Sequence, residues 1–195
     1  MNEWITGNRY LNQAEMENNA TLVYQYLGAR GFTVNAVAGI LGNMQTESHI
    51  NPGIWQSLTV GTGGYGLVQW TPYTKYSKWA GSGWQNNGDM ECKRIVWEFN
   101  NNQQYIKTSA YPLTAAEFMA STDSPYNLGM AFLHNYERPK DPNQPARGTQ
   151  AEAWYEFLTG QTPPTPVNPD DPGYHKPHQI PVWLLFKFKG KFKGR

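Results

Sequence analysis

The sequence predicts an α+β fold that is predominantly helical and carries one small β-hairpin. Apolar residues recur at helical spacing through most of residues 12–160. Paired capping residues stand in front of several of these stretches. A glycine-rich segment, 61–66, separates two short segments between Trp55 and Trp70, as the loop of a hairpin does. With 39% hydrophobic residues in a chain of 195, there is enough apolar surface for one core.

The two N-terminal helices have the clearest signals. Asn12 and Glu15 match a capping box at the start of the first helix. The second helix is predicted over residues 33–48, where valine, leucine and methionine form one apolar stripe. Gly39 and Gly42 lie about one turn apart on this helix, and residues without a side chain permit a neighbouring helix to approach closely.

Further helix starts are predicted downstream. Proline fits the first helical position, because its missing N–H would have no partner there. A threonine followed three residues later by glutamate matches a capping box. On these grounds the predicted starts are Thr71-Pro72, Asp89, Thr114 with Glu117, Ser124-Pro125, and Thr149 with Glu152.

Composition divides the chain into three parts. Residues 1–160 form the predicted globular domain. Residues 161–181 form a predicted linker, because five prolines in residues 161–173 favour extended, unpacked chain. Residues 182–195 form a basic, aromatic tail in which phenylalanine and lysine alternate. A segment with one cationic face would suit an anionic wall polymer or a membrane surface, or it would pair with a strand of another protein. The alternative is a disordered basic end.

Charge and cysteine content exclude several classes of protein. No cluster of Lys or Arg occurs before residue 161, so we expect no nucleic-acid binding. The single Cys92 forbids an internal disulfide and any cysteine-based zinc site, and the 4 histidines show no metal-ligand spacing. We therefore expect neither a metal nor another cofactor. We also expect no secretory signal, and no apolar run is long enough to cross a membrane.

Glu47 is the first candidate for a catalytic residue. It shares a helix face with Ile40 and Met44, so its carboxyl is expected to be partly sheltered at the end of an apolar stripe. Shelter from water and the C-terminal end of a helix both disfavour a negative charge. A carboxyl that keeps its proton near neutral pH is what general acid catalysis on a glycosidic oxygen requires. The alternative is a surface glutamate at a frayed helix end.

Other candidates could line a sugar-binding groove. Gln69 offers an amide for N-acetyl groups, and Tyr65 or Trp70 offers a face on which a sugar ring could stack. The alternative for this segment is a tight turn with core aromatics. Tyr136 and Glu137 end a predicted helix and could reach the same groove as Glu47, or they could simply pack and pair with their neighbours.

Three segments, 42–53, 64–71 and 136–139, together resemble the phage tail lysozyme family, as found in podoviruses of Gram-positive bacteria. The resemblance spans roughly residues 8–160. It implies a fold similar to goose-type lysozymes and soluble lytic transglycosylases, which have a helical domain with a small β-hairpin beside the cleft.

The same resemblance implies roles for individual residues. It makes Glu47 the catalytic acid that cleaves the β-1,4 bond between N-acetylmuramic acid and N-acetylglucosamine in peptidoglycan. Gln69 would face the acetamido group, and Tyr136 would close the groove. No Asp or Glu lies between Glu47 and Asp89, whereas glycosidases normally use two carboxyls. Either a later residue such as Glu98 or Glu137 reaches the site, or the acetamido group assists and a 1,6-anhydro product becomes available.

The implied role is that of a virion component at the phage tail tip, where it would open the host wall during genome ejection. Its partners would be peptidoglycan glycan strands and other phage tail proteins. Two alternatives stay open: an endolysin with the same chemistry that acts at host lysis, and a non-catalytic module for wall binding or tail structure.

Overall fold

The structure is a computed structural model that describes residues 3–161. The predicted tail and, apart from Gln161, the predicted linker lie outside the described residues. Within these residues the regular secondary structure is helical, and none of these helices is long and apolar enough to span a membrane. The elements are α1 (Gln13–Gly28), α2 (Val34–Ser48), α3 (Thr74–Ala80), α4 (Gly88–Asn100), α5 (Ala115–Ala120), α6 (Pro125–Phe132), a π-helical turn (Leu133–Glu137) and α7 (Ala146–Thr159).

Local capping explains most of the helix starts. The Asn12–Glu15 capping box of α1 is present with both of its hydrogen bonds. The side chain of Thr33 caps α2 by accepting from the Ala36 N–H, and Ser124 caps α6, which has proline in its first turn. These hydrogen bonds satisfy N–H groups that have no partner within the helix, so they set where each helix begins.

Three predicted helix starts are displaced. α4 begins at Gly88, one residue before the predicted Asp89, because the Asn87 side chain caps it by accepting from the Met90 N–H. α7 begins at Ala146 instead of Thr149, because Pro145 already has helical backbone angles at the N-cap position. α3 begins at Thr74, after the predicted Thr71-Pro72 start, and its N-cap residue makes no side-chain cap hydrogen bond.

α2 is the central helix of the core. Most of its residues are buried between α6 and α7. A Cβ atom added at Gly39 would lie 2.8 Å from the Leu128 carbonyl carbon, and one added at Gly42 would lie 2.7 Å from the Ala151 nitrogen. Such distances leave no room for any side chain, so the predicted close approach at these two glycines is confirmed.

α2 and α6 run in the same direction. The start of α2 contacts the residues before α6, where Asn35 Nδ2 donates to the Asp123 carbonyl at 3.0 Å. Further along, Gly39 meets Leu128 and Gly129. Because the helices are parallel, their C-terminal ends reach the same side of the domain, and this is the side on which Glu47 and the π-helical turn lie.

The predicted β-hairpin is not formed as a pair of strands. Residues 55–70 contain two isolated antiparallel bridges, one between Trp55 and Tyr65 and one between Tyr65 and Trp70. Gly66 has φ of 79° and Gln69 has φ of 49°. Left-handed backbone at two nearby positions turns the chain back on itself, so that no extended ladder forms. The predominantly helical part of the predicted fold class is confirmed, and its β part is not.

Candidate active site

Glu47 lies in the last turn of α2, at the edge of the core. Ile40 and Met44, on the same face, are fully buried, while 23% of the Glu47 side chain is exposed. Its Oε1 accepts a hydrogen bond of 2.7 Å from Arg147 Nη2. The carboxyl is therefore partly sheltered, as its place on the stripe predicts, and it is held by a cation that the sequence reasoning missed.

Arg147 is a buried cation in the first turn of α7. Only 5% of its side chain is exposed. Besides Glu47, it donates from Nε to Gln144 Oε1 at 2.7 Å and from Nη1 to Asn43 Oδ1 at 3.2 Å. Three partners fix the guanidinium plane, so that its position relative to Glu47 does not depend on a flexible side chain.

Glu137 ends the π-helical turn and is half-buried. Its Oε1 is buried and has no hydrogen-bond partner among the described residues. Burial raises the pKa of Glu137 well above its ordinary value, and the charge of Glu47 raises it further. Arg147 and Arg138 act in the opposite direction, but more weakly than burial. The net effect on the pKa of Glu137 is therefore upward, and its protonated form is favoured relative to an exposed glutamate.

Glu98 is a structural carboxylate in α4. It is 2% exposed and accepts hydrogen bonds from Arg94 Nε at 2.8 Å, from Trp70 Nε1 at 3.2 Å and from the Tyr136 hydroxyl. These donors occupy both of its oxygens. Glu98 therefore joins the loop that contains Trp70 to the π-helical turn that carries Tyr136 and Glu137.

The aromatic candidates are core residues. Tyr65 and Tyr136 are 1% exposed and Trp70 is 5% exposed. A sugar ring stacks only on an accessible face, so the structure argues against direct stacking on Tyr65 or Trp70 and against direct contact with Tyr136. Tyr65 instead packs edge-on against Trp55 and Trp84. These rings are buried by apolar packing, and their hydroxyl and indole groups form hydrogen bonds within the protein.

Gln69 is half-buried, and hydrogen bonds from its side-chain amide hold it against the loop backbone. Its Nε2 donates to the carbonyls of Gly66 at 3.1 Å and of Ile54 at 3.2 Å. Its Oε1 is buried without a hydrogen-bond partner among the described residues. The side chain therefore has one acceptor atom without a partner among the described residues, but this atom is closed off from the surface, and its amide nitrogen donates to the loop backbone.

The loop from Gly66 to Trp70 is held beside Glu47 by buried polar contacts. Glu91 in α4 is 0% exposed, and its Oε2 accepts from the Leu67 N–H at 2.7 Å. A Cβ atom at Gly66 would lie 2.5 Å from the same oxygen. From the other side, Ser48 Oγ donates to the Leu67 carbonyl at 2.8 Å. Since Ser48 follows Glu47, the loop is tied to the end of α2.

Residues 3–161 contain no group of three or more His, Cys, Asp and Glu side chains placed to hold a metal ion. The buried carboxyls Glu91 and Glu98 accept from backbone, aromatic or guanidinium groups.

Comparisons with known proteins agree with the sequence motifs. The family model described as phage tail lysozyme matches residues 18–158. Morphogenesis protein 1 of Bacillus phage B103 is 52% identical over 162 residues, which cover 79% of this chain and 43% of that protein. The chain thus spans less than half the length of this relative. The segment matched by the family model contains Glu47, Gln69, Glu137 and Arg147.

Proposed function

The chain belongs to the phage tail lysozyme family, and we propose that it is a virion tail-associated glycosidase, located at the tail tip. In this proposal it cleaves the β-1,4 bond between N-acetylmuramic acid and N-acetylglucosamine of peptidoglycan, and so opens the host wall during genome ejection. The observation that carries the proposal is the partly exposed carboxyl of Glu47, which contacts the buried guanidinium of Arg147 at 2.7 Å.

Glu47 is the proposed catalytic acid. In this role it donates a proton to the glycosidic oxygen while the bond from that oxygen to the anomeric carbon breaks. Proton donation leaves a carboxylate, and a charge-assisted hydrogen bond from Arg147 stabilises that ion. Because three side chains fix Arg147, this stabilisation is in place before the substrate binds.

Gln69 is the proposed contact for the acetamido group. Its Nε2 donates to the loop backbone, so its Oε1 is the atom left to accept from the acetamido N–H. This oxygen is buried, so the contact requires the loop to shift and expose it when the substrate binds. Trp70 and Tyr136 act through Glu98 as residues that hold the groove wall. The basic, aromatic tail of residues 182–195 is a further proposed contact to an anionic wall or membrane surface.

Zymography of the purified protein tests the catalytic assignment. The proposal predicts clearing of wall substrate by the wild type and loss of clearing in Glu47→Gln. Glu156→Gln serves as the matched control, since it removes the same charge from an exposed position near the C-terminal end of α7, far along the helix from Arg147. Equal clearing by Glu47→Gln and the wild type would remove Glu47 from the mechanism.

Mass spectrometry of purified phage particles tests the place of action. A tail-associated glycosidase is present in particles at a fixed copy number, whereas an endolysin that acts at host lysis is absent from them. Absence of the chain from particles would therefore favour the endolysin.

The name of the relative favours one second candidate, a tail-structural module that binds wall glycan without cutting it. Morphogenesis protein 1 is named for assembly. This candidate predicts that the protein pellets with cell walls and releases no new reducing ends and no anhydro-muramyl products.

A further inference from the structure

Glu47 and Glu137 end two parallel helical segments that touch. α2 and α6 are in contact at Gly39 and Gly129, where a Cβ atom on Gly39 would lie 2.9 Å from the Gly129 nitrogen. Each carboxyl stands eight residues further along its own segment. The backbone of Arg147 reaches the same junction, because a Cβ atom on Gly129 would lie 3.1 Å from the Arg147 carbonyl oxygen. Arg147 contacts Glu47 at 2.7 Å, and both residues interact electrostatically with Glu137, so the fold brings two carboxyls and one guanidinium to one place.

The charges in this place do not balance if both carboxyls ionise. Arg147 forms its ion pair with Glu47. The other cation that acts on Glu137, Arg138, is exposed, and its Nη1 donates to the carbonyls of Gln104 and Asn135. Glu137 Oε1 receives no hydrogen bond from any described residue. Two nearby carboxyls with one buried cation are electroneutral when they hold one proton between them.

We infer that Glu137 is the second carboxyl of this site and that it shares one proton with Glu47. This inference deepens the proposed function and rests on it. Arg147 balances the charge of the ionised carboxyl. In the free protein the proton is on Glu137, since Arg147 pairs with Glu47. Sequence alone left Glu98 and Glu137 as equal candidates for this role, and Glu98 is excluded because its two oxygens already accept from Arg94, Trp70 and Tyr136.

The surroundings of Glu137 agree with a shared proton. The groups that face it are Glu47 from α2, Glu98 from α4, Arg147 from α7, and Arg138 next to it in the chain. Burial and the two carboxylates raise the pKa of Glu137, and the two guanidinium groups lower it. Because the charge of Glu47 is one of the causes that raise the pKa of Glu137, removal of that charge is expected to lower this pKa.

The shared proton gives the glycosidase step a balanced cycle. The proton moves from Glu137 to Glu47, and Glu47 donates it to the glycosidic oxygen. The bond between that oxygen and the anomeric carbon breaks, and its electron pair leaves with the oxygen. A hydroxyl group of water, or of the sugar itself, then adds to the anomeric carbon and releases its proton to the carboxyl pair. The pair ends with one proton, as it began. Glu137 acts through Glu47 and is a positioning residue for the proton.

Carbon-13 NMR of the glutamate carboxyls tests the sharing without any need for activity. The pH at which Glu137 titrates is measured in the wild type, in Glu47→Gln and in the control Glu156→Gln. We expect Glu47→Gln to lower the titration midpoint of Glu137 by about one pH unit or more, because a like charge is removed and Arg147 is released from its partner. The control leaves the midpoint unchanged. An unchanged midpoint in Glu47→Gln would overturn the inference.

Wall cleavage by Glu137→Gln tests the functional consequence. Glutamine has the shape of a protonated glutamate, so that the fold is preserved, but it cannot pass a proton. We expect activity at neutral pH to fall about 10-fold or more, the pH optimum to move to lower pH, and pelleting with walls to stay unchanged. Glu137→Asp keeps an ionisable group and should restore part of the activity. A wild-type pH profile in Glu137→Gln would overturn the inference, whereas inactivity of the wild type itself would overturn only the proposed function.

Discussion

Arg147 Nη2 lies 2.7 Å from Glu47 Oε1, although the two residues are separated by 100 positions in the chain. This contact joins the end of α2 to the start of α7. Glu47 is the one acidic residue of α2, and it lies where this helix reaches the edge of the core. The guanidinium is almost completely buried, and the carboxyl is partly exposed. The cation therefore belongs to the core, and the anion belongs to the surface that a substrate would meet.

Arg147→Lys should reduce both stability and activity. Lysine keeps the positive charge but has no planar fork, so that it cannot serve Glu47, Asn43 and Gln144 at once. We expect a loss of roughly 2 kcal/mol in the free energy of unfolding, below the value for a fully buried pair because Glu47 is partly exposed. Urea denaturation measures it. Arg9→Lys, which alters the exposed Arg9–Glu15 pair, is the control and should change stability much less. Equal effects in both variants would argue against an anchoring role for Arg147.

Gly42→Ala should destabilise the fold although alanine favours helices. The new methyl group would lie 2.7 Å from the Ala151 nitrogen and even closer to the Arg147 carbonyl oxygen, and backbone atoms cannot move aside. We expect a cost of about 1–3 kcal/mol, larger than the gain of up to ~1 kcal/mol in helix propensity. Gly28→Ala is the control, because its methyl group would meet only the Tyr24 ring, at 3.7 Å. Chemical denaturation should therefore show a lower free energy of unfolding for Gly42→Ala and an unchanged or higher one for Gly28→Ala.

Glu91→Gln should change how stability depends on pH. Burial raises the pKa of Glu91 well above its ordinary value. The folded state then binds the proton more tightly than the unfolded state, so that the wild type loses stability as pH rises above the ordinary value of 4.5 towards the folded one. Glutamine does not titrate and keeps an acceptor for the Leu67 N–H. We expect the melting temperature of the variant to increase relative to that of the wild type as pH rises from about 5 to about 8. A constant difference across this range would show that Glu91 does not hold a proton.

Tyr136→Phe separates a structural role from substrate contact. The hydroxyl of Tyr136 donates to Glu98 and is buried, so the variant leaves one oxygen of a buried carboxylate with fewer donors. We expect a loss of about 1–3 kcal/mol in stability and little change in the KM for wall substrate. Tyr10→Phe, at a position that is 59% exposed, controls for the loss of a hydroxyl. A large rise in KM without a loss of stability would instead put Tyr136 in the substrate groove.

Local interactions are the part of the fold that the sequence makes predictable. Asn12, Thr33, Thr114 and Ser124 each bond to a backbone N–H three residues away, and such pairs are visible in the sequence. The hairpin between Trp55 and Trp70 could not be predicted correctly, because the left-handed backbone of Gln69 has no strong signal in a non-glycine residue.

The site divides in the same way. Glu47 stands out because its neighbours on the helix face form a local apolar stripe. Arg147 does not, since its contact depends on how α7 crosses α2. Glu91 lies in the first turn of α4, where glutamate is common for electrostatic reasons, and only the packed loop at Gly66 shows that its carboxyl is buried.

Mass spectrometry of the fragments released from purified peptidoglycan is the most direct test of Glu47 as the catalytic acid. The wild type should release glycan fragments that end in N-acetylmuramic acid, in the reducing or the 1,6-anhydro form. Glu47→Gln should release at least about 100-fold less, as expected for the loss of a general acid. Fragments that end in N-acetylglucosamine, or equal release by both proteins, would contradict the assignment.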